Sequence, residues 1–129
     1  MRQILLDTHV FLWMQFASGK LSDNLQELLQ REDVRWHLSQ VSLLEIQIKT
    51  GVGKLNLPAS PEKILPRLIR ESGVAYHPLS DAAIFMLGKL PEVHGDPFDR
   101  LLIATALTEG WEIATLDPQF EAYPVRTLS

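Results

Sequence analysis

Five acidic residues stand where surface solvation alone does not account for them: Asp7, Glu45, Asp96, Asp99 and Asp117. Asp7 ends the apolar run Ile4-Leu5-Leu6, and Asp117 follows a second strand-like segment, Glu112–Thr115, after one leucine. In an open α/β sheet, ligands sit outside the carboxyl ends of the strands, so these two acids are expected on one edge. Glu45 lies at helical spacing with Val41, Leu44 and Ile48. A carboxylate on an apolar stripe must be neutralised, hydrogen-bonded or paired with a cation. A Glu45–Lys49 pair at i, i+4 is the structural alternative. The segment Asp96-Pro97-Phe98-Asp99 reads first as a helix start, with Asp96 as N-cap, Pro97 at N1 and an acid at N3. Asp99, however, shares a face with Leu102, Ile103 and Ala106, and a capping acid has no need to point into a core.

Two carboxylates ~4 Å apart repel by about 4 kcal/mol at an effective dielectric of ~20. Several converging in one pocket therefore need protons or cations to hold them. Mg²⁺ and Mn²⁺ prefer oxygen ligands, and the chain has no cysteine to offer a softer ion. Two such ions ~3.5–4 Å apart can activate water and stabilise the leaving oxygen of a phosphodiester. The spacing by itself leaves convergence open.

The elements that must position these acids follow from periodicity and stop signals. Ile4–Leu6 reads as a strand buried on both faces. A helix is expected from about Thr8 to Ala17, stopped by Ser18-Gly19. Ser22 or Asp23 caps a second helix through about Gln30. Val34, Trp36 and Leu38 alternate with polar residues as a strand does. Ser39 opens a helix over Gln40–Thr50, with Gly51 as the closing residue. Pro61 starts a helix to about Ser72, followed by a strand at Val74–Tyr76 and a helix from Ser80 to Leu87. Asp96-Pro97 opens a long apolar helix to Glu109, and Val125–Thr127 is a candidate edge strand. Strands alternating with helices predict right-handed crossovers and a parallel sheet covered on both faces. The class is α/β, with residues 1–129 as one domain.

Composition limits the function. With 129 residues and 46% hydrophobic content, the chain is sized for one core of two or three layers. No run approaches the ~20 apolar residues of a membrane helix, and the N-terminus meets Asp7 after three apolar residues, without a signal-peptide core. The absence of cysteine fits a cytoplasmic protein. A net charge of −4 argues against simple coating of nucleic acid, which needs a basic face. An enzyme carrying its own divalent cations is less constrained.

The segments Leu5-Leu6-Asp7-Thr8-His9-Val10-Phe11-Leu12-Trp13, Ser42-Leu43-Leu44-Glu45-Ile46-Gln47-Ile48-Lys49 with Gly53-Lys54-Leu55, His94 through Ala106, and Thr115-Leu116-Asp117-Pro118-Gln119-Phe120 together resemble the PIN-domain ribonucleases. Within that family the resemblance is to VapC-type toxins of type II toxin–antitoxin pairs, and it spans almost the whole chain. It implies a three-layer α/β/α fold with a four- or five-stranded parallel sheet and an acidic pocket binding Mg²⁺, with Mn²⁺ as substitute. It also implies endonucleolytic cleavage of RNA that leaves a 5′-phosphate.

Carried over by position, Asp7, Glu45 and Asp99 are the core acids and Asp117 the fourth, whose position varies in such proteins. Asp96 either binds metal through water or only caps its helix. Thr8 and Thr115, beside strand ends, are candidates to hydrogen-bond a carboxylate or a metal-bound water, as partners that orient ligands do. The resemblance further implies a cognate antitoxin whose segment fills the groove over the acids. It suggests a homodimer too, for which Phe11, Trp13 and Phe16 offer apolar surface.

Other residues stay open at this stage. His94 either reaches the site or is solvated, and His9, His37 and His77 lack ligand spacing and read as structural. Trp13 and Phe11 read as core or partner-facing rather than base-stacking. Arg100 is a candidate to tie down a carboxylate or meet a phosphate, and Lys49 and Lys54 are candidate phosphate contacts. Two rivals remain: a catalytically inactive PIN-fold binding module, which loss of an acid would favour, and a receiver-like phosphotransfer domain. The second fits poorly, because Asp99 lies inside a helix rather than after a strand.

Overall fold

The computed structural model describes residues 1–93 and 95–129. Strand β1 (Arg2–Leu6) carries three consecutive side chains, Ile4, Leu5 and Leu6, with no exposed surface. A strand that is apolar on both faces belongs in the middle of a parallel sheet, and β1 is central. The other strands are β2 (Val34–Ser39), β3 (Ala75–His77), β4 (Glu112–Ala114) and β5 (Thr127–Leu128), ordered β3-β2-β1-β4-β5 and all parallel. The order reverses direction between β1 and β4, where Leu5 pairs with Ile113 and Leu6 with Ala114. Helices leaving neighbouring strands toward opposite faces open a crevice at such a point.

Among the described residues six α-helices cover the sheet: α1 (Thr8–Phe16), α2 (Asp23–Leu29), α3 (Gln40–Gly51), α4 (Pro61–Ser72), α5 (Asp81–Met86) and α6 (Pro97–Glu109). Val10, Phe11, Leu25, Leu28, Ile64 and Leu65 pack with Ile4, Leu6 and Leu38 on one face. Leu102, Ile103, Ala106 and Phe120 pack with Leu5 and Ile113 on the other. Helix α3 reaches both layers, sending Val41 into the second cluster and Ile46 into the first. The expected three-layer α/β/α architecture is therefore present, with five strands.

Several boundaries differ from expectation. The strand expected at Val74–Tyr76 runs from Ala75 to His77, and the edge strand expected at Val125–Thr127 is Thr127–Leu128. Both are short edge strands whose extent is set by their single neighbour rather than by their own periodicity. Gly51 is not the residue after α3 but its last one; Val52 caps the helix, and Gly53, with φ of +78°, takes the left-handed turn that follows.

The exposed face of α3 is also not the one its apolar spacing implies. Leu44 and Ile48 are exposed, whereas Val41, Ser42, Glu45 and Ile46 are buried. The helix turns its polar residues inward because partners wait there: the Ser42 and Thr8 hydroxyls pair at 2.8 Å, and Lys49 meets Glu45.

A candidate metal centre at the strand switch

Asp7, Glu45, Asp96, Asp99 and Asp117 all line one pocket of about 490 Å³, together with His9, Trp13 and Lys49. It opens where β1 and β4 end. Each acid is delivered by a different local device. Asp7 occupies the N-cap position of α1 yet makes no side-chain capping bond, so its carboxylate remains available to the pocket. Thr115, just beyond β4, donates its hydroxyl to Asp7 Oδ2 at 2.9 Å. The same hydroxyl oxygen accepts the Asp117 amide at 3.1 Å, which leaves its one hydrogen for Asp7. Thr115 thus ties two acids from separate strands together.

Asp96 divides its work. Oδ1 accepts the Phe98 and Asp99 amides at 2.8 and 3.1 Å and caps α6, while Oδ2 lies 3.8 Å from Lys49 Nζ. Capping and facing the pocket are therefore compatible. Asp117 caps the short 3-10 turn Pro118–Ala122 through Gln119 N at 2.9 Å. Glu45 is brought to the pocket on the buried face of α3, with 1% of its surface exposed, and Lys49 one turn later donates to its Oε2. The i, i+4 pair and the site acid are the same residue in two roles.

Three of the acids, Glu45, Asp96 and Asp99, each bring an oxygen within 4.8 Å of the other two. Asp7 and Asp117 line the pocket outside this triple. Two buried carboxylate oxygens, Asp7 Oδ1 and Glu45 Oε1, meet no hydrogen-bond donor. Buried acceptors are rarely left so, and each costs about 1–3 kcal/mol. Burial pushes the Asp7 carboxyl above the usual range, and the Glu45 charge adds to this; the Thr115 bond and the charge of His9 pull against it. For Lys49, burial disfavours the ammonium, but the hydrogen bond and charge of Glu45, with Asp96 and Asp99, hold it above the ordinary lysine range. Orphaned carboxylate oxygens beside an all-oxygen donor set fit a hard divalent cation of the Mg²⁺ or Mn²⁺ kind.

Several residues take other places than sequence suggested. Thr8's hydroxyl is engaged with Ser42 rather than with a carboxylate. Among the described residues Arg100 donates to the Pro91 and Leu87 carbonyls and the Tyr123 hydroxyl, bracing the chain that leads into α6. Phe11 is wholly buried, so it offers nothing to a partner, while Trp13 is half-buried and faces the acids. Lys49 is a counter-ion of the acids, and Lys54 is exposed outside the pocket.

His9 is the residue that sequence reasoning missed. Its place one helical turn before Trp13, two residues after Asp7, was the available signal. His37 and His77 are structural, hydrogen-bonded at 2.7 Å with His37 stacked on Trp111. His94 lies outside the described residues. An apolar groove of similar volume between α3 and α4 converges no such set of charges.

Comparison with known proteins agrees with this arrangement. Residues 4–125 match the PIN domain family. The chain is 25% identical over 126 residues to Ribonuclease VapC22 of Mycobacterium tuberculosis, covering 95% of this chain and 93% of that protein. Its fold is similar to VapBC2 from Rickettsia felis bound to a promoter DNA fragment, with a TM-score of 0.70 and 20% identity over 98% of this chain and 97% of that one. DNA-bound VapBC from Salmonella typhimurium gives a TM-score of 0.70 and 18% identity, over 99% and 98% of the two chains.

Proposed function

Because the chain belongs to the PIN-domain family, we propose that it is a divalent-metal-dependent endoribonuclease, the toxin of a toxin–antitoxin pair. Residues 1–129 form one PIN domain on this reading. The observation that carries it is the pair of orphaned, buried oxygens on Asp7 and Glu45 in a pocket lined by five acids. Glu45, Asp96 and Asp99 would hold one ion, and Asp7, with Asp117 beside it, would complete the set. The bound cation, Mg²⁺ with Mn²⁺ as substitute, supplies Lewis acidity that activates water and offsets charge on the phosphodiester.

The chain's own residues do the rest. Thr115 fixes the rotamer of Asp7, and Asp96 Oδ1 anchors the first turn of α6 so that Asp99 faces the pocket. Lys49 holds Glu45 in place and lowers the repulsion among the acids. His9 adds a donor on the substrate side.

An antitoxin partner is part of the same reading, since VapC-type relatives are described as VapBC complexes. So are a cytoplasmic site of action and a homodimer. No helix among the described residues is long and apolar enough to cross a membrane.

The test compares cleavage of a structured RNA mixture by the wild-type and Asp99→Asn proteins, in Mg²⁺ and in EDTA. Cleavage by the wild type alone, and only with Mg²⁺, is expected. Equal cleavage by Asp99→Asn, or cleavage that survives EDTA, removes the carboxylate mechanism. A wild type that neither binds a divalent ion nor cuts RNA is a binding module instead.

A further inference from the structure

Two groups of acids meet in the pocket, and they arrive on different elements. Asp7 and Asp117 come from the ends of β1 and β4 and share the Thr115 hydroxyl. Asp96 and Asp99 come from the start of α6, where the Asp96 cap holds the Asp99 amide. A hard cation between them needs the two groups at a set separation, since Mg²⁺ demands near-ideal octahedral geometry. Apolar contact alone does not set it. Phe120 and Tyr123 pack with Leu102 and Ile103 of α6 in one buried cluster, but such packing is non-directional.

Arg100 supplies the direction. It follows Asp99 in α6, and its amide donates to the Asp96 carbonyl at 3.1 Å. Its guanidinium donates to the Tyr123 hydroxyl at 3.2 Å, and to the carbonyls of Pro91 at 2.8 Å and Leu87 at 3.4 Å. Tyr123 ends the 3-10 turn Pro118–Ala122, whose other end is capped by Asp117. The Arg100–Tyr123 bond therefore joins the turn that begins at Asp117 to the turn that carries Asp96 and Asp99. Among the described residues neither Arg100 nor Tyr123 lines the acid pocket. All three acceptors are neutral and lie on separate stretches of chain. Reaching them together is work for a planar fork with five donors, which a lysine ammonium does not reproduce.

Resting on the metal-dependent reading of the pocket, we propose that Arg100, acting through Tyr123, is a positioning residue for the divalent ion. It sets the separation of Asp117 from Asp96 and Asp99, and thereby the affinity for the ion, while touching neither ion nor substrate.

Three accounts of Arg100 differ in the sign they give. A group acting only through its positive charge opposes a second cation nearby, so its removal tightens Mn²⁺ binding. A group that only supports the fold lowers stability and leaves the affinity of the folded protein alone. A positioning residue weakens binding when lost, because partners that orient ligands contribute about 10- to 100-fold in metal affinity.

The experiment measures Mn²⁺ affinity by calorimetry, without RNA, alongside urea unfolding in EDTA. Arg100→Met is expected to bind Mn²⁺ about 10- to 100-fold more weakly than wild type, and Arg100→Lys to recover little of the loss. Tyr123→Phe keeps the buried ring and removes only the hydroxyl, and a smaller, several-fold loss is expected. The double variant Arg100→Met/Tyr123→Phe should bind no more weakly than Arg100→Met, because both changes break the same contact.

An affinity that is unchanged or tighter in Arg100→Met, full rescue by Arg100→Lys, or an unchanged affinity in Tyr123→Phe overturns the proposal. Should Arg100→Met not fold in EDTA, Tyr123→Phe decides alone. If the variants weaken as stated and the wild type binds Mn²⁺ yet cleaves no RNA, the positioning role stands and the ribonuclease reading falls. A wild type that binds no Mn²⁺ removes both.

Discussion

Lys49→Met separates the role of the protein's own cation from that of the divalent ion. In the structure Lys49 donates to a Glu45 carboxylate that is almost wholly buried, lies 3.8 Å from Asp96 Oδ2, and sits 5.9 Å over the Phe98 ring. Removing one partner of a buried pair typically costs about 3–5 kcal/mol. Here the lysine side chain is 22% exposed, so water and protonation of the acids recover part of that, and about 2–3 kcal/mol remains. For a chain of this size the loss lowers Tm by roughly 6–15 °C in EDTA.

A divalent ion changes the comparison, because it and the ammonium claim the same carboxylates. In wild-type protein an ion on Glu45 Oε1 would lie against the ammonium on Oε2, whereas in Lys49→Met no like charge opposes it. The variant should therefore bind Mn²⁺ more tightly, and saturating metal should close much of the stability gap. At a hundredfold excess over Kd, binding contributes about 2.7 kcal/mol. Thermal unfolding of both proteins, in EDTA and across a Mn²⁺ titration, reads this directly. An equal deficit with and without metal, or weaker Mn²⁺ binding by the variant, would refute the reasoning.

Two other perturbations follow from the same geometry. Asp7→Asn removes a charge that burial disfavours and whose Oδ1 has no partner. It should abolish cleavage yet raise metal-free stability at pH 7 by about 1 kcal/mol. A raised native pKa gives a contribution present at low pH and lost as pH rises through it, so the difference between Asn and Asp should shrink on acidification; urea unfolding in EDTA at pH 7 and pH 5 checks this, and an Asn variant less stable at pH 7 contradicts it. His37 is held down to about 4, by burial first and then by the charges of His77 and Arg35. Its unfolded value is about 6.5, so only the unfolded chain takes up the proton between these limits. Stability should be undiminished above pH 6.5 and fall by about 3 kcal/mol as pH drops toward 4, with His37→Gln flattening that part of the curve; an unchanged acid limb in the variant would exclude His37 as the cause.

The parts of the fold legible in the sequence are those that local rules decide. Ile4-Leu5-Leu6 is apolar on both faces and so central, and Asp96-Pro97 and Gly110 bracket α6 by cap chemistry alone. The acids were legible for the opposite reason, because each breaks a local pattern. What local rules do not reach is the company a residue keeps. The spacing of Leu44 and Ile48 on α3 was that of a core face, but burial was assigned by Thr8, Lys49 and the sheet, none of them within the helix's own periodicity except Lys49. The Glu45–Lys49 pair could be read from its i, i+4 spacing, but the role of Arg100 was invisible, since it is an ordinary basic residue until the Pro91 carbonyl arrives. The reversal of strand order between β1 and β4 joins residues more than a hundred positions apart, and no window of sequence contains it.

That long-range pairing has a consequence for the order in which the molecule comes into being. A ribosome delivers Asp7 and the central strand first, Glu45 next, and the Asp96–Asp99 turn only after the first ninety-five residues. Asp7 acquires its orienting hydroxyl later still, when Thr115 takes its place beside β1. Until Thr115 is in place the growing chain thus holds acids that have nothing to converge upon. On the ribonuclease reading such a chain is made while attached to an RNA, and its topology withholds the finished centre until Thr115 has been delivered.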